Sequence, residues 1–243
     1  MKNFKLIEAN INSSHFLKEF YYAQKNKLIS DDFGVSTIKT IGEQVFGDAD
    51  LYAHHESGWI WLVTALSVKG YSRDMSKNSP LLLKTSAYSN FPHTLSFLNK
   101  FAKTQNAYLQ RVAFATLLPD GDVRPHMDDG KYFKYRDRYH LVLQSEIGSK
   151  FTCGNETQIF KEGELWWFAN KEVHSVKNLS NSNRIHLIFD LLPKNHYTLT
   201  QKIMLFILNG FIQKIYNSFG YEKLSILLDG NAKLKKIVTG LRV

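Results

Sequence analysis

Cysteine is nearly absent from this chain: among its 243 residues only Cys153 carries a thiol. One thiol excludes an intramolecular disulfide framework, so a reducing, cytoplasmic setting is the expectation. Long apolar runs are lacking too. None approaches the roughly 20 residues needed to span a bilayer. The longest candidate, "IMLFILNGFI" at 203–212, is about half that length and reads as a buried or surface-docking helix. The opening stretch "MKNFKLIEANINSSHFLKEFYY" interrupts its apolar residues with Lys, Glu and Asn, unlike a signal peptide. Acidic residues are in deficit, 22 against 31 Lys and Arg, which leaves a net charge of +9. The basic residues are scattered, with no dense run and no nucleic-acid motif, so no nucleic-acid partner is expected. Internal repeats and low-complexity linkers are also missing.

What the chain has is apolar mass. It is 44% hydrophobic with 17 Phe, 12 Tyr and 4 Trp, enough for one sizeable core and unlike a disordered protein. Residues 1–106 mix helical and irregular signals. "SHFLKEFYYAQKN" (14–26) and "TLSFLNKFAKT" (94–104) space their apolar positions as helices do, while "GWIWLVTALSV" (58–68) reads as a buried strand. From 107 to 193 the texture is that of short strands: "AYLQRVAFATLL", a turn at "PDGD" (119–122), "RYHLVLQS", a hairpin about Gly154-Asn155, "GELWWFAN", "HSVKNLS" and "RIHLIFDLL". Such a series predicts a β-sandwich or barrel. After Pro193 the pattern turns helical again, giving a β core at 107–193 between an N-terminal segment and a C-terminal extension, 194–243.

Within the β core, "RPHMDDG" puts His126 and Asp128 two residues apart, where an extended chain points both to one side. Alone the pair means little. With 9 His and 22 acidic residues, chance supplies roughly one His-x-Asp or His-x-Glu, and His54/Glu56 in "HHES" shows the same spacing. Context separates the two. A facial triad of two histidines and a carboxylate needs a third ligand from a returning strand, leaving the opposite positions open. His174 opens a strand-like run 48 residues after His126, and Arg184, ten residues further, can grip a carboxylate with two prongs. His54/Glu56 has no such partner in a comparable β series. Trp166 and Trp167 alternate across a strand and at least one reads as core; His186 shares a face with Arg184; nothing near Cys153 argues for a nucleophile.

The stretch "LLPDGDVRPHMDDG…RDRYHLVL…GELWWFANKEVHSVKNLSNSNRIHLIFDLL" resembles the aspartyl/asparaginyl β-hydroxylase family of iron(II)- and 2-oxoglutarate-dependent dioxygenases. The resemblance covers about 107–193, with weaker echoes upstream in "HHESGW" and "FPHT". Pro-His, Arg-x-His-Leu, Gly-Glu-Leu-Trp-Trp, His-x-Val-x-Asn and the Arg ten residues after the His all occur in order. The resemblance implies a mainly β fold with helical flanks, built on a double-stranded β-helix (jelly-roll) core. It implies that His126 and His174 ligate iron, that Arg184 binds the far carboxylate of 2-oxoglutarate, and that Arg138 and His140 line the co-substrate pocket. The animal protein-hydroxylating members have glycine two residues after the first His; this chain has Asp128, like the carboxylate-bearing members of the family. Asp128 is therefore expected to be the third ligand, and Asp129, before Gly130, a turn residue.

The implied activity uses iron(II), 2-oxoglutarate and O2 to hydroxylate an unactivated C–H bond of a small-molecule or peptide substrate, an amino acid above all. Two alternatives stand beside it: hydroxylation of a membrane-lipid acyl chain, and a non-catalytic metabolite-binding jelly roll. Residues 200–243 carry seven Lys/Arg against two acidic residues, a composition suited to weak contact with a membrane surface, though packing on the core is the favoured role for this segment.

Overall fold

The computed structural model describes residues 2–26, 54–65 and 81–230. The strands are β1 (Phe4–Glu8), β2 (His54–Ala65), β3 (Leu82–Lys84), β4 (Ala107–His126), β5 (Asp137–Gln144), β6 (Ser149–Cys153), β7 (Glu156–Gln158), β8 (Leu165–Phe168), β9 (His174–Asn178) and β10 (Arg184–Pro193). The helices are α1 (Ser14–Lys25), α2 (Pro92–Thr104), the single turn α3 (Lys131–Lys134) and α4 (Leu199–Gly230). The strands run in the order β1-β8-β5-β10-β4-β9-β6-β7, with β2 added to β4 and β3 to β2, and every pairing is antiparallel. This is the expected jelly roll with helical flanks. β1 and β2 are hydrogen-bonded into it, so the N-terminal segment shares the core rather than only packing upon it.

Strand β10 shows how the sequence builds two layers. It is buried along nearly its whole length, yet its two faces differ in kind. Ile185, Leu187, Phe189 and Leu191 join Phe16, Phe20, Leu98 and Phe101 of α1 and α2 in the main apolar core. The alternate residues Arg184, His186, Ile188 and Asp190 point to the other side, into the barrel. β5 divides the same way: Tyr139, Leu141 and Leu143 lie under the helices, while Val142 meets Phe151, Phe168 and Val176 in an inner cluster. The polar side chains that alternate with apolar ones here face inward, not to solvent.

The "PDGD" stretch is not a chain-reversing turn. β4 continues through it, with Asp120 at φ 59° and a register break between the pairs Ser57–Leu117 and His55–Asp122. Before the break β4 pairs with β10; after it, with β9. The irregularity lets one strand leave the first sheet and enter the second, as bulges do at barrel corners. The Gly154 hairpin does form, with Gly154 at φ 56° in the left-handed region that its turn requires. α2 begins at Pro92 with no cap from its own chain segment; the buried Glu19 carboxylate of α1 accepts instead from the backbone N–H groups of His93 and Thr94, at 2.6 and 3.0 Å. The strand at 58–68 is seen as far as Ala65, and residues 231–243 of the C-terminal pattern lie outside the described residues.

Candidate functional site

The crossing of β4 brings its last residue, His126, opposite His174, the first residue of β9. Their rings lie 4.3 Å apart between centroids. Asp128 follows in the loop after β4, anchored by its own N–H to the Asn170 carbonyl at 2.9 Å. One donor atom from each of His126, Asp128 and His174 lies within 4.8 Å of the other two, within reach of a single ion. The side chains of His54, His55 and Glu56 are outside what the structure describes, so the rival spacing is left at its strand position beside Val123 and Asp122.

Hydrogen bonds fix which atoms are left for a ligand. His126 Nδ1 lies 2.8 Å from the Arg124 carbonyl and His174 Nδ1 lies 2.9 Å from that of Glu172. A carbonyl only accepts, so each Nδ1 carries a proton, and Nε2 is the ring atom that a metal can reach. Burial, only partly offset by the Asp128 charge, holds His174 down at about 4, and hence neutral. Asp128 Oδ2 accepts from Asn170 Nδ2 at 3.0 Å and faces Arg138 Nη1 at 3.0 Å. Burial raises the Asp128 carboxyl, but Arg138, His174 and the Asn170 hydrogen bond more than reverse this, so the ionised form is favoured. Two imidazoles and an oriented carboxylate, each steadied by outer hydrogen bonds, fit a divalent first-row metal such as iron(II).

His126, His174, Arg138, His140 and Arg184 line one narrow cavity together with Trp59. Arg184 is buried and, among the described residues, has no carboxylate partner; desolvation alone brings its guanidinium down to about 9. Its Nη2 donates to His186 Nδ1 at 3.0 Å, and His140 Nδ1 stands 3.3 Å from that same atom. Because a guanidinium only donates, His186 Nδ1 must accept. His140 Nδ1 therefore holds the hydrogen, and His186 bears its own on Nε2, a buried atom with no hydrogen-bond partner among the described residues. Burial and then the Arg184 charge push both histidines well below their ordinary value. A buried cation without a counter-ion, among neutral rings, is an arrangement suited to an incoming carboxylate.

Arg138 lines the same cavity but is already engaged. It pairs with Asp128 and, through Nε and Nη2, with Asp190 at 2.8 and 3.1 Å. Asp190 also accepts from Tyr132 Oη at 3.1 Å. Neither Asp190 nor Asn170 was among the residues expected at the site. Asp190 shares the inward face of β10 with Arg184 and His186, so its alternation was a usable signal. Asn170 lies between strands, where no periodicity marks it. Trp166 stacks on Phe160 and donates to Glu164, and Trp167 packs on the outer core and donates to Asp137. Cys153 is fully buried, its thiol raised to about 11 by burial and the nearby Glu172 and Glu156, and so is no nucleophile at neutral pH.

The sequence model of the family described as "Aspartyl/Asparaginyl beta-hydroxylase" matches residues 25–193. Proteins of that name from mouse and human are each 29% identical over 100 residues, 41% of this chain and only 13% of theirs. The chain thus matches a small part of those relatives. Among solved structures, an oxidoreductase of the 2OG-Fe(II) oxygenase family from Burkholderia pseudomallei superposes with a TM-score of 0.51 at 13% identity, over 78% of this chain and 85% of that one. At that identity the likeness speaks for the fold.

Proposed function

The chain belongs to the aspartyl/asparaginyl β-hydroxylase family, and from that premise we propose that it is an iron(II)- and 2-oxoglutarate-dependent dioxygenase that hydroxylates an unactivated C–H bond. The observation that carries this reading is the meeting of His126, Asp128 and His174 in one cluster, beside a buried Arg184 that has no carboxylate partner among the described residues. His126 and His174 would hold the metal through Nε2, and Asp128 through the oxygen that Asn170 and Arg138 leave free. Iron(II) would supply, with O2, the oxidative decarboxylation of 2-oxoglutarate to succinate and carbon dioxide that is coupled to hydroxylation.

The remaining work falls to the protein. Arg184 takes the far carboxylate of 2-oxoglutarate in a fixed geometry that lysine cannot copy. His186 holds that guanidinium in place from below. Arg138, tied to Asp190, keeps the Asp128 carboxylate ionised and turned, a positioning role rather than the co-substrate contact the resemblance suggests. Phe151, Phe168 and Trp59 line the cavity and exclude water around the reacting groups. The substrate we favour is an amino acid, free or in a peptide, and the single buried cysteine suits a cytoplasmic setting.

Purified protein given iron(II), 2-oxoglutarate and air is expected to form succinate, slowly without substrate and faster with it. Calorimetry that detects no iron-dependent binding of 2-oxoglutarate would remove the reading and favour a jelly roll that only binds metabolites.

A further inference from the structure

Helix α4 carries large apolar residues on more than one side, which is unusual for a helix on a protein surface. One face is spoken for. Leu205, Ile212, Tyr216, Leu224 and Leu228 are buried against Leu81, Leu83, Leu192 and Tyr197. Polar bonds complete the docking: Asn209 Oδ1 accepts from the Leu82 N–H, and Gln213 bonds both the N–H and the carbonyl of Lys84. The outward side carries large apolar residues too. Leu199, Ile203, Phe206, Ile207 and Phe211 follow helical spacing and stand exposed, Phe206 at 81% and Leu199 at 73%. The chain breaks at Gly220 (φ 76°), and Ile226 and Leu227 continue the exposed apolar surface beyond it.

We propose that this outer face of α4 is a docking surface for an anionic lipid bilayer, lying in the plane of the interface. Among the described residues no helix is long and apolar enough to cross a membrane, so the contact is interfacial. Charge selects the occupant. Lys214 and Lys223 are exposed on α4, and residues 200–243 hold seven Lys/Arg against two acidic residues. Two copies of this surface would set like charges face to face, whereas anionic headgroups complement them. Beside the exposed face, a cleft of about 460 Å³ runs between Ile203 and Phe206 of α4 and Leu82, Tyr108 and Leu109 of the sheet, with Lys202 among its lining residues. It can receive the end of an acyl chain while the lysine meets a phosphate. The docking needs none of the barrel chemistry and stands apart from the proposed catalysis.

The test is co-sedimentation of the full chain with vesicles of phosphatidylcholine alone and of phosphatidylcholine mixed with phosphatidylglycerol. Binding is expected to the mixed vesicles only and to weaken with added salt. Phe206→Asp should lower it by about tenfold or more, and Lys214→Glu with Lys223→Glu should lower it as well. Both variants change exposed positions and should keep the parent melting temperature. Failure to bind the mixed vesicles, or binding indifferent to Phe206→Asp, overturns the proposal. So does sedimentation equilibrium that finds a dimer in the parent and a monomer in Phe206→Asp, which would give this face to a second copy.

Discussion

Arg138 and Asp190 face each other across neighbouring strands in a two-pronged pair, Nε to Oδ1 at 2.8 Å and Nη2 to Oδ2 at 3.1 Å. The same guanidinium reaches Asp128, so one largely covered cation serves two buried carboxylates. Removing it in Arg138→Met leaves both without their cation, a loss of about 3–5 kcal/mol for a broken buried pair. The melting temperature should fall by roughly 10 °C on the scale of a chain this size. Arg138→Lys should recover only part, because an ammonium cannot present the forked geometry. A melting curve unchanged in Arg138→Met would show that the clamp carries no stability.

The bond from Arg184 to His186 gives a graded pair of variants. Arg184→Ala should weaken 2-oxoglutarate binding by about 2–5 kcal/mol, the usual cost of truncating one side of a buried charge pair, or roughly one and a half to three and a half orders of magnitude. His186→Leu keeps the cation but removes the acceptor that orients it. A loss of about three- to tenfold in 2-oxoglutarate affinity is expected, less than the roughly 1.5–3 kcal/mol of a whole hydrogen bond to a charged group, because the cation itself is kept. Iron binding should persist in both. Calorimetric titration of 2-oxoglutarate into each variant decides the matter, and an Arg184→Ala protein with parental affinity would move the carboxylate contact elsewhere.

Three buried histidines make the metal-free protein sensitive to acid. His174 is lowered to about 4, and His140 and His186 are lowered well below their ordinary value, in each case chiefly by burial. A histidine whose folded pKa is depressed lends stability above its unfolded pKa of about 6.5 and loses it as pH falls toward the folded value. His174 alone should cost about 2 kcal/mol between pH 7 and pH 5. The other two add to it with the same sign. Urea denaturation of the metal-free protein at several pH values in this window measures the slope; a flat profile would mean that these rings are hydrated or charged in the folded state.

How much of this was legible in the sequence follows from the range of each signal. The faces of β10 and β5 were readable because alternation is local: Arg184, His186, Arg138 and His140 keep their side of the strand whatever lies beyond it. The hairpin at Gly154 was readable because a left-handed turn selects its residues. "PDGD" misled because the same residues serve a reversal and a crossing between sheets, and only the separate pairings of β4 with β10 and β9 distinguish them. Arg138 was legible as a pocket residue but not as a clamp, since Asp128 and Asp190 come to it from ten residues before and 52 residues after in the chain. Periodicity says which way a side chain faces; it does not say what faces it.

Asp128 and Asp129 offer the sharpest separation of roles between adjacent carboxylates. Asp128 is buried, and Asn170 holds it through both its backbone and its side chain; Asp129 is exposed at the start of the turn into Gly130 (φ 92°). Asp128→Ala removes the carboxylate from the cluster with His126 and His174, and strips Arg138 and Asn170 of their shared acceptor. Iron affinity should fall by at least about tenfold to a hundredfold, the range for losing merely an outer partner of a metal ligand, and succinate formation should be lost. Asp129→Ala leaves the cluster and the clamp in place and should change stability by no more than about 0.5 kcal/mol, as surface substitutions do. Asp128→Asn refines the comparison, since it keeps the shape and loses the charge, so a partial return of iron affinity with no return of turnover would assign the charge to catalysis. Iron affinity and succinate yield, measured side by side, distinguish the two carboxylates: an inactive Asp129→Ala beside an active Asp128→Ala would transfer the metal-binding role from Asp128 to Asp129.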